Sequence, residues 1–163
     1  MKILLKITLV LALIGANLFA DSSANISIVA KSSNTISISG MEYGFGLGFD
    51  HKWENGIVLG GNGDFTYVDL NLGDSDSNMI NVLFEGTLGY AYNDLQAYAV
   101  LPMLITSSNS INSQGFGYGV GVKYQINESF GVKIEYVSTS MTDIDSDLDY
   151  DYDNISLSVS YKY

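Results

Sequence analysis

The last ten residues, NISLSVSYKY (residues 154–163), alternate between polar and apolar side chains throughout. Successive side chains of a β-strand point to opposite faces of the sheet, so this stretch has one polar face and one apolar face. The alternation predicts a half-buried strand with a binary pattern of period two. Its apolar row consists of Ile155, Leu157, Val159, Tyr161 and Tyr163.

The same period of two predicts strands along most of the chain. They fall at 41–52, 57–70, 79–92, 95–106, 114–126, 130–141 and 154–163. A weaker strand is expected at 25–31, followed by a turn at 32–34. The next strand then begins near Thr35, because TISIS (35–39) also alternates. The total is eight strands.

Short and long connections alternate between these strands. ENG (54–56), ND (93–94) and NES (127–129) have the chemistry of tight hairpin turns. The polar stretches 71–78, 107–113 and 142–154 are longer. This rhythm predicts an antiparallel up-and-down meander that forms a single domain over residues 21–163.

The direction of the aromatic face decides between a soluble and a membrane barrel. If the rings pointed inward, they would fill more volume than a close-packed core of this size offers. The opposite face is small or polar and fits inside a small closed barrel. Closure also satisfies every backbone group in hydrocarbon. We therefore predict an all-β, eight-stranded antiparallel up-and-down transmembrane β-barrel. The rings expected to face lipid include Phe45, Phe49, Phe65, Tyr67, Phe84, Tyr90, Tyr92, Phe116, Tyr118, Tyr124, Phe130, Tyr136 and Tyr161.

With this pattern the chain resembles the eight-stranded bacterial outer-membrane barrels of the OmpX and OmpA-transmembrane-domain type. The resemblance covers about residues 25–163 and includes the Gly-rich hairpin GFGYGVGVKYQINESFGVKIEY (115–136). Its most specific element is the final strand with its terminal aromatic residue. The resemblance implies that Tyr163, Tyr161 and Val159 form a signal for the barrel-assembly machinery. It also implies a monomer in outer-membrane lipid and lipopolysaccharide.

The N-terminus predicts export. In MKILLKITLVLALIGANLFA (1–20), two lysines precede an apolar run that ends in small or neutral residues, as in a secretory signal peptide. A membrane anchor is the alternative, but the run is shorter than the ~20 residues of a spanning helix. The chain has no Cys and no Arg, and its seven lysines face eighteen acidic residues. This negative balance argues against a nucleic-acid partner, and no cofactor motif is present.

Five charged residues fall on the predicted inner face: Asp64, Glu85, Lys123, Lys133 and Glu135. Buried charges must be paired, so we expect a salt-bridge network in the lumen. An eight-stranded barrel has just enough room for side chains, which favours a plugged lumen. A proton or ion path is the alternative.

Catalytic motifs are weak. His51 is the only histidine, and no serine stands at a catalytic spacing from it. Packing near the interface is therefore the expected role of His51. GxGxxG-like spacings in the Gly-rich strands are not followed by a helix, so they do not predict a phosphate site. The sequence does not predict an enzyme.

The acidic stretch TDIDSDLDYDYDN (142–154) has Asp at every odd position. An EF-hand loop counted from Asp143 would need Gly and Glu where Leu148 and Asn154 stand, so that motif fails. A solvated loop is the simplest interpretation, and weak divalent-cation binding by Asp149, Asp151 and Asp153 is the alternative. If the last strand continues upward, these three carboxylates face outward, and Tyr150 and Tyr152 face the barrel mouth.

One register stays open, because both faces of LQAYAVLPMLIT (95–106) are apolar. We expect the small Ala97 and Ala99 inside and Tyr98 outside. For function, an integral outer-membrane protein with structural and surface-interaction roles is the leading hypothesis. The alternatives are a small porin-like channel, a lipid-modifying enzyme and a soluble secreted barrel.

Overall fold

The computed structural model describes residues 23–35, 39–71, 76–108, 112–144, 146 and 148–162. Eight antiparallel strands form a closed barrel in sequence order, which confirms the predicted fold. None of the described segments is a helix that could span a membrane. The strands are β1 (Ser23–Thr35), β2 (Ser39–Lys52), β3 (Ile57–Asn71), β4 (Asp76–Tyr92), β5 (Leu95–Ser108), β6 (Asn112–Gln125), β7 (Phe130–Asp143) and β8 (Asp149–Lys162).

The barrel closes between its first and last strands. β8 pairs antiparallel with β1, from Asn25 opposite Lys162 to Thr35 opposite Tyr152. Ser23 is opposite Asp50, and the Lys162 amide donates to the Ser129 carbonyl oxygen. Both ends of the described chain therefore lie at the same end of the barrel as the connections after β2, β4 and β6.

The first hairpin differs from the prediction. Residues 32–34 continue β1 instead of turning, with Ser32 opposite Met41 and Asn34 opposite Ser39. Ser32 also pairs with Ile155 on β8. Serine and asparagine favour turns locally, but partners on both sides of β1 outweigh that preference. The prediction that a strand begins near Thr35 was therefore wrong, because Thr35 ends β1.

Three connections are shorter than expected, because strands continue into the polar stretches. β4 begins at Asp76, β6 at Asn112 and β8 at Asp149. A closed ladder offers each of these residues a backbone partner, so these polar residues remain part of the strands. The strands have 13 to 17 residues, whereas crossing the hydrocarbon needs roughly 9–11. The barrel wall therefore projects beyond its apolar band at the long-loop end.

The two faces of the wall confirm the predicted inversion. Aromatic side chains such as Phe116 and Tyr118 are 67% and 70% exposed on the outside. Inside, Ser156 and Ser158 are each 1% exposed. The outer apolar surface faces hydrocarbon, and the packed core lies within the barrel.

The register of β5 is opposite to the one expected. Tyr98 is buried in the lumen, whereas Ala97 and Ala99 face outward. The ring occupies space that Gly121 on β6 leaves free, since a Cβ there would lie 2.3 Å from Tyr98 Cζ. The Tyr98 hydroxyl also donates to Glu135. A glycine on the neighbouring strand and a buried acceptor together reverse the preference that side-chain size alone suggested.

Candidate functional site

Charged side chains in the middle of the lumen form a cluster around Lys133 on β7. Lys133 Nζ lies 3.4 Å from Glu85 Oε2 and 3.4 Å from Glu135 Oε2. The Tyr98 hydroxyl donates to Glu135 Oε2 over 3.0 Å. These contacts join β4, β5 and β7 across the lumen. Glu85, Lys133 and Glu135 were all placed in one network by the sequence, and the structure brings them together.

Asp64 and Lys123 belong to two separate ion pairs. Lys123 Nζ lies 2.5 Å from Asp50 Oδ2. Asp64 Oδ2 lies 3.0 Å from Lys31 Nζ, and both of these side chains are almost fully buried. Lys31 was not predicted as a lumen charge, because β1 was the weakest predicted strand and its expected end was residue 31. The alternation along β1 indicates that Lys31 points inward. Ile26 and Ile28 face outward, whereas Asn25, Val29 and Lys31 are buried.

A second polar cluster at the long-loop end surrounds the buried carboxylate of Glu42. Thr66 Oγ1 donates to Glu42 Oε2 over 2.7 Å, and Asn81 Nδ2 donates to the same oxygen over 3.1 Å. The Tyr152 hydroxyl donates to Glu42 Oε1. Glu42 was also not predicted as a lumen charge. The inward positions next to it on β2 are glycines, which give no polar pattern that would indicate a buried cluster.

An apolar layer accompanies the Glu42 cluster. Leu83, Leu104, Met141 and Tyr152 pack together in the lumen, and Tyr150 packs against them. Tyr152 therefore belongs to both groups, since its ring lies in the apolar layer and its hydroxyl reaches Glu42. We name this assembly of Glu42, Leu83, Leu104, Met141 and Tyr152 the outer plug.

The short-turn end of the barrel is open. A polar cavity of about 540 Å³ is lined there by residues that include Asp50, Lys52, Gln96 and Lys123. Deeper in the lumen the free space narrows to about 20 Å³, beside Tyr98, Lys133 and Ser158. From the short-turn end inward, the lumen therefore consists of an open cavity, then the charged cluster around Lys133, and then the outer plug.

The outer wall carries a row of carboxylates above the apolar band. Thr142 Oγ1 donates to Asp149 Oδ1 over 2.8 Å, and Ser140 Oγ donates to Asp151 Oδ1 over 3.2 Å. The Tyr136 hydroxyl donates to Asp153 Oδ1 over 3.2 Å. The expected register is confirmed, because β8 is paired with β7 as far as Asp149 opposite Thr142, and Tyr152 faces inward.

Metal binding by this row stays a prediction. Across the described ranges, no three His, Cys, Asp or Glu side chains converge as metal ligands. Each of Asp149, Asp151 and Asp153 instead has a hydroxyl neighbour on β7. The three carboxylates lie along the wall, where they meet whatever surrounds the barrel.

Two of the three residues of the proposed assembly signal lie on the lipid-facing side. Val159 and Tyr161 are about half exposed, and the Tyr161 ring packs edge-on against Phe130 at 5.2 Å. Tyr163 lies outside the described residues. Their use by the assembly machinery stays a prediction.

His51 lies near the connection after β2. Its ring packs edge-on against Trp53, with ring centroids 4.6 Å apart. Trp53, Tyr90 and Tyr92 are exposed near the same end of the barrel, as in an interfacial aromatic girdle. This environment is that of a packed interfacial ring.

Comparisons with known proteins agree with this architecture. The family model described as outer membrane protein beta-barrel domain matches residues 7–163. No curated protein matches the chain. Among solved structures, Neisserial surface protein A is similar at 13% identity and a TM-score of 0.62, over 87% of this chain and 97% of that chain.

Two other solved barrels have the same fold, and one of them is an enzyme. Ail, the attachment invasion locus protein of Yersinia pestis, is 15% identical with a TM-score of 0.57, over 87% of this chain and 97% of that chain. The outer membrane enzyme PagL is 16% identical with a TM-score of 0.59, over 83% of this chain and 97% of that chain. At such identities the likeness shows the fold alone.

Proposed function

Because this chain belongs to the outer membrane protein beta-barrel domain family, we propose that it is a monomeric structural and surface-interaction protein whose acidic rim contacts lipopolysaccharide through divalent cations. Family membership places the barrel in the bacterial outer membrane, which removes the soluble-barrel alternative. The proposal of a structural and surface-interaction role is supported by the filled lumen and by the distribution of charged side chains.

The filled lumen argues against transport. The outer plug closes the long-loop end with buried side chains from β2, β4, β5, β7 and β8. Below it, Lys133 joins Glu85 and Glu135 across the middle of the barrel. A hydrated ion entering from one end meets two layers of packed side chains. A structural barrel requires no such passage.

Charge is segregated between the two ends. Residues 21–163 contain five lysines. Lys31 is buried in the lumen, Lys133 lies in the central cluster, and the other three line the short-turn cavity. Short turns of such barrels face the periplasm. The outer end therefore presents carboxylates without a cationic side chain, and it favours positively charged partners. The lysines of the short-turn cavity are Lys52, Lys123 and Lys162.

The single observation that carries the surface role is the outward row of Asp149, Asp151 and Asp153 directly above lipid-facing Ile155. At that height the row meets the headgroups of the outer leaflet. Lipopolysaccharide phosphates would repel the carboxylates. Ca²⁺ and Mg²⁺ prefer oxygen ligands of this kind and would bridge the two.

We expect a chelator to lower the thermal unfolding midpoint of the barrel in lipopolysaccharide-containing vesicles by about 2–4 °C, equivalent to roughly 1 kcal/mol. Removing the bridging cations leaves carboxylates and phosphates in repulsion. Replacing the row by Asp149→Asn, Asp151→Asn and Asp153→Asn together should abolish the response. The midpoint is measured by the loss of heat-modifiable gel migration.

Two controls make this test specific. Asp94→Asn, at a short turn on the opposite end, should leave the chelator response intact. Vesicles of zwitterionic phospholipid alone should show no response for any variant. If the chelator leaves the wild-type midpoint unchanged in lipopolysaccharide-containing vesicles, the acidic row is a solvated surface that binds no bridging cation.

A catalytic role has less support from the residues present. Packing of His51 against Trp53 accounts for the position of its ring. A small channel is the second candidate function, and the open cavity at the short-turn end favours it. A conductance measurement separates a channel from a plugged barrel.

A further inference from the structure

The central cluster contains more negative than positive charge. Glu85 and Glu135 share the single ammonium of Lys133, at 3.4 Å each. The Glu85 and Glu135 side chains are 0% and 2% exposed, and Lys133 is 13% exposed. An uncompensated buried charge is costly. One further positive charge would neutralise the cluster.

The lysines of the described lumen wall do not supply that charge. Lys31 pairs with Asp64, and Lys123 pairs with Asp50. Tyr98 on β5 donates a neutral hydrogen bond to Glu135. Asp64 on β3 acts on Glu85 as a further negative charge. The groups that face Glu85 from β3, β5 and β7 therefore do not neutralise the excess negative charge of the cluster.

Unpartnered oxygen atoms surround the same level of the lumen. Glu85 Oε1, Ser156 Oγ and Ser158 Oγ are buried without a hydrogen-bond partner in the described part of the chain. In the β7–β8 ladder Ser156 is opposite Glu135, and Ser158 is opposite Lys133. Directly opposite residues have Cβ atoms about 4.5–5.5 Å apart. Both hydroxyls therefore border the cluster on its β8 side.

The cluster is reached from the short-turn end. The narrow space beside Tyr98, Lys133 and Ser158 shares Asp50, Gln96 and Lys123 with the 540 Å³ cavity at the short-turn end. The outer plug closes the other side. A ligand of the cluster therefore enters and leaves through the periplasmic end and must be very small.

We propose that the barrel lumen binds one monovalent cation beside Glu85, either a small alkali ion or a proton, taken up from the periplasmic side. Its charged ligand atom is Glu85 Oε1, and the unpartnered Ser156 and Ser158 hydroxyls stand opposite Glu135 and Lys133 in the same cluster. A divalent ion would overcompensate one excess charge, and the described residues contain no three-carboxylate group for it. This site is separate from the acidic rim and does not depend on a surface role.

The test is the thermal unfolding midpoint of the purified barrel in detergent micelles. One arm compares NaCl with N-methyl-D-glucamine chloride at equal ionic strength and pH 8. A bound alkali ion raises the midpoint in sodium by at least ~3 °C. The second arm keeps N-methyl-D-glucamine and varies pH from 5 to 9. A bound proton stabilises the folded state at low pH, and this stabilisation is lost as the pH rises.

Glu85→Gln removes the excess charge and should abolish the response in whichever arm the wild type shows it. Glu135→Gln also removes one negative charge from the cluster, and it replaces Glu85→Gln in the test if that variant does not fold. The matched control is Glu54→Gln, at an exposed turn outside the lining of both cavities, which should respond like wild type. A wild-type midpoint insensitive to both sodium and pH would overturn the proposal, as would a Glu85→Gln barrel that responds fully.

Discussion

Replacing the two buried lumen tyrosines by Tyr98→Ala and Tyr152→Ala together should give steady open-pore currents in planar bilayers, whereas the wild-type barrel should give none. Tyr152 belongs to the outer plug, and Tyr98 lies in the lumen beside the free space of about 20 Å³. An eight-stranded barrel leaves little more room than its side chains occupy. Removing one ring from each layer opens a continuous path.

The currents of the double variant should be cation-selective, because carboxylates outnumber lysines along the lumen. The matched control is Tyr90→Ala with Tyr118→Ala, which removes two rings from the lipid-facing side and should stay silent. Heat-modifiable migration checks that each variant folds. Steady currents through the wild-type barrel would refute the plugged lumen and establish the small-channel alternative.

The largest loss of stability is expected for Lys133→Met. This substitution keeps most of the side-chain volume and leaves Glu85 and Glu135 buried without their shared ammonium. Breaking a buried ion pair by removing one partner costs roughly 3–5 kcal/mol. The free energy of unfolding, measured by urea titration in phospholipid vesicles, should fall by about that amount.

Lys123→Met is the matched control, because the Lys123–Asp50 pair is more exposed than the central cluster and should cost much less. Adding Glu85→Gln to Lys133→Met should recover part of the loss by removing one uncompensated charge. Equal, small effects of Lys133→Met and Lys123→Met would mean that the central cluster is solvated, and our account of the lumen would then be wrong.

The architecture was predictable wherever one face of a strand differs clearly from the other. In β8 the serines and the apolar residues separate completely, so its direction and register followed from the sequence. β5 lacked that contrast, and its register depends on Gly121 of the next strand and on Glu135 two strands away. No pattern within β5 itself contains this information.

The lumen site was predictable in composition and less so in pairing. Alternation identified Glu85, Lys133 and Glu135 as inward, because each stands on a strong strand. It did not reveal that Asp64 pairs with Lys31 or that Tyr152 reaches Glu42. Those contacts join residues far apart in sequence, and they depend on the stagger of a closed barrel, which no local pattern encodes.

The charge segregation of this barrel also determines which reagents can detect it on intact cells. Trypsin cleaves after lysine and arginine, and amine-reactive dyes label lysine. The chain has no arginine, and its five lysines beyond residue 20 lie in the lumen or at the short-turn end, the end that faces the periplasm in barrels of this kind. We therefore expect that neither trypsin digestion nor amine labelling of intact cells detects this protein, although its long-loop end is exposed at the cell surface.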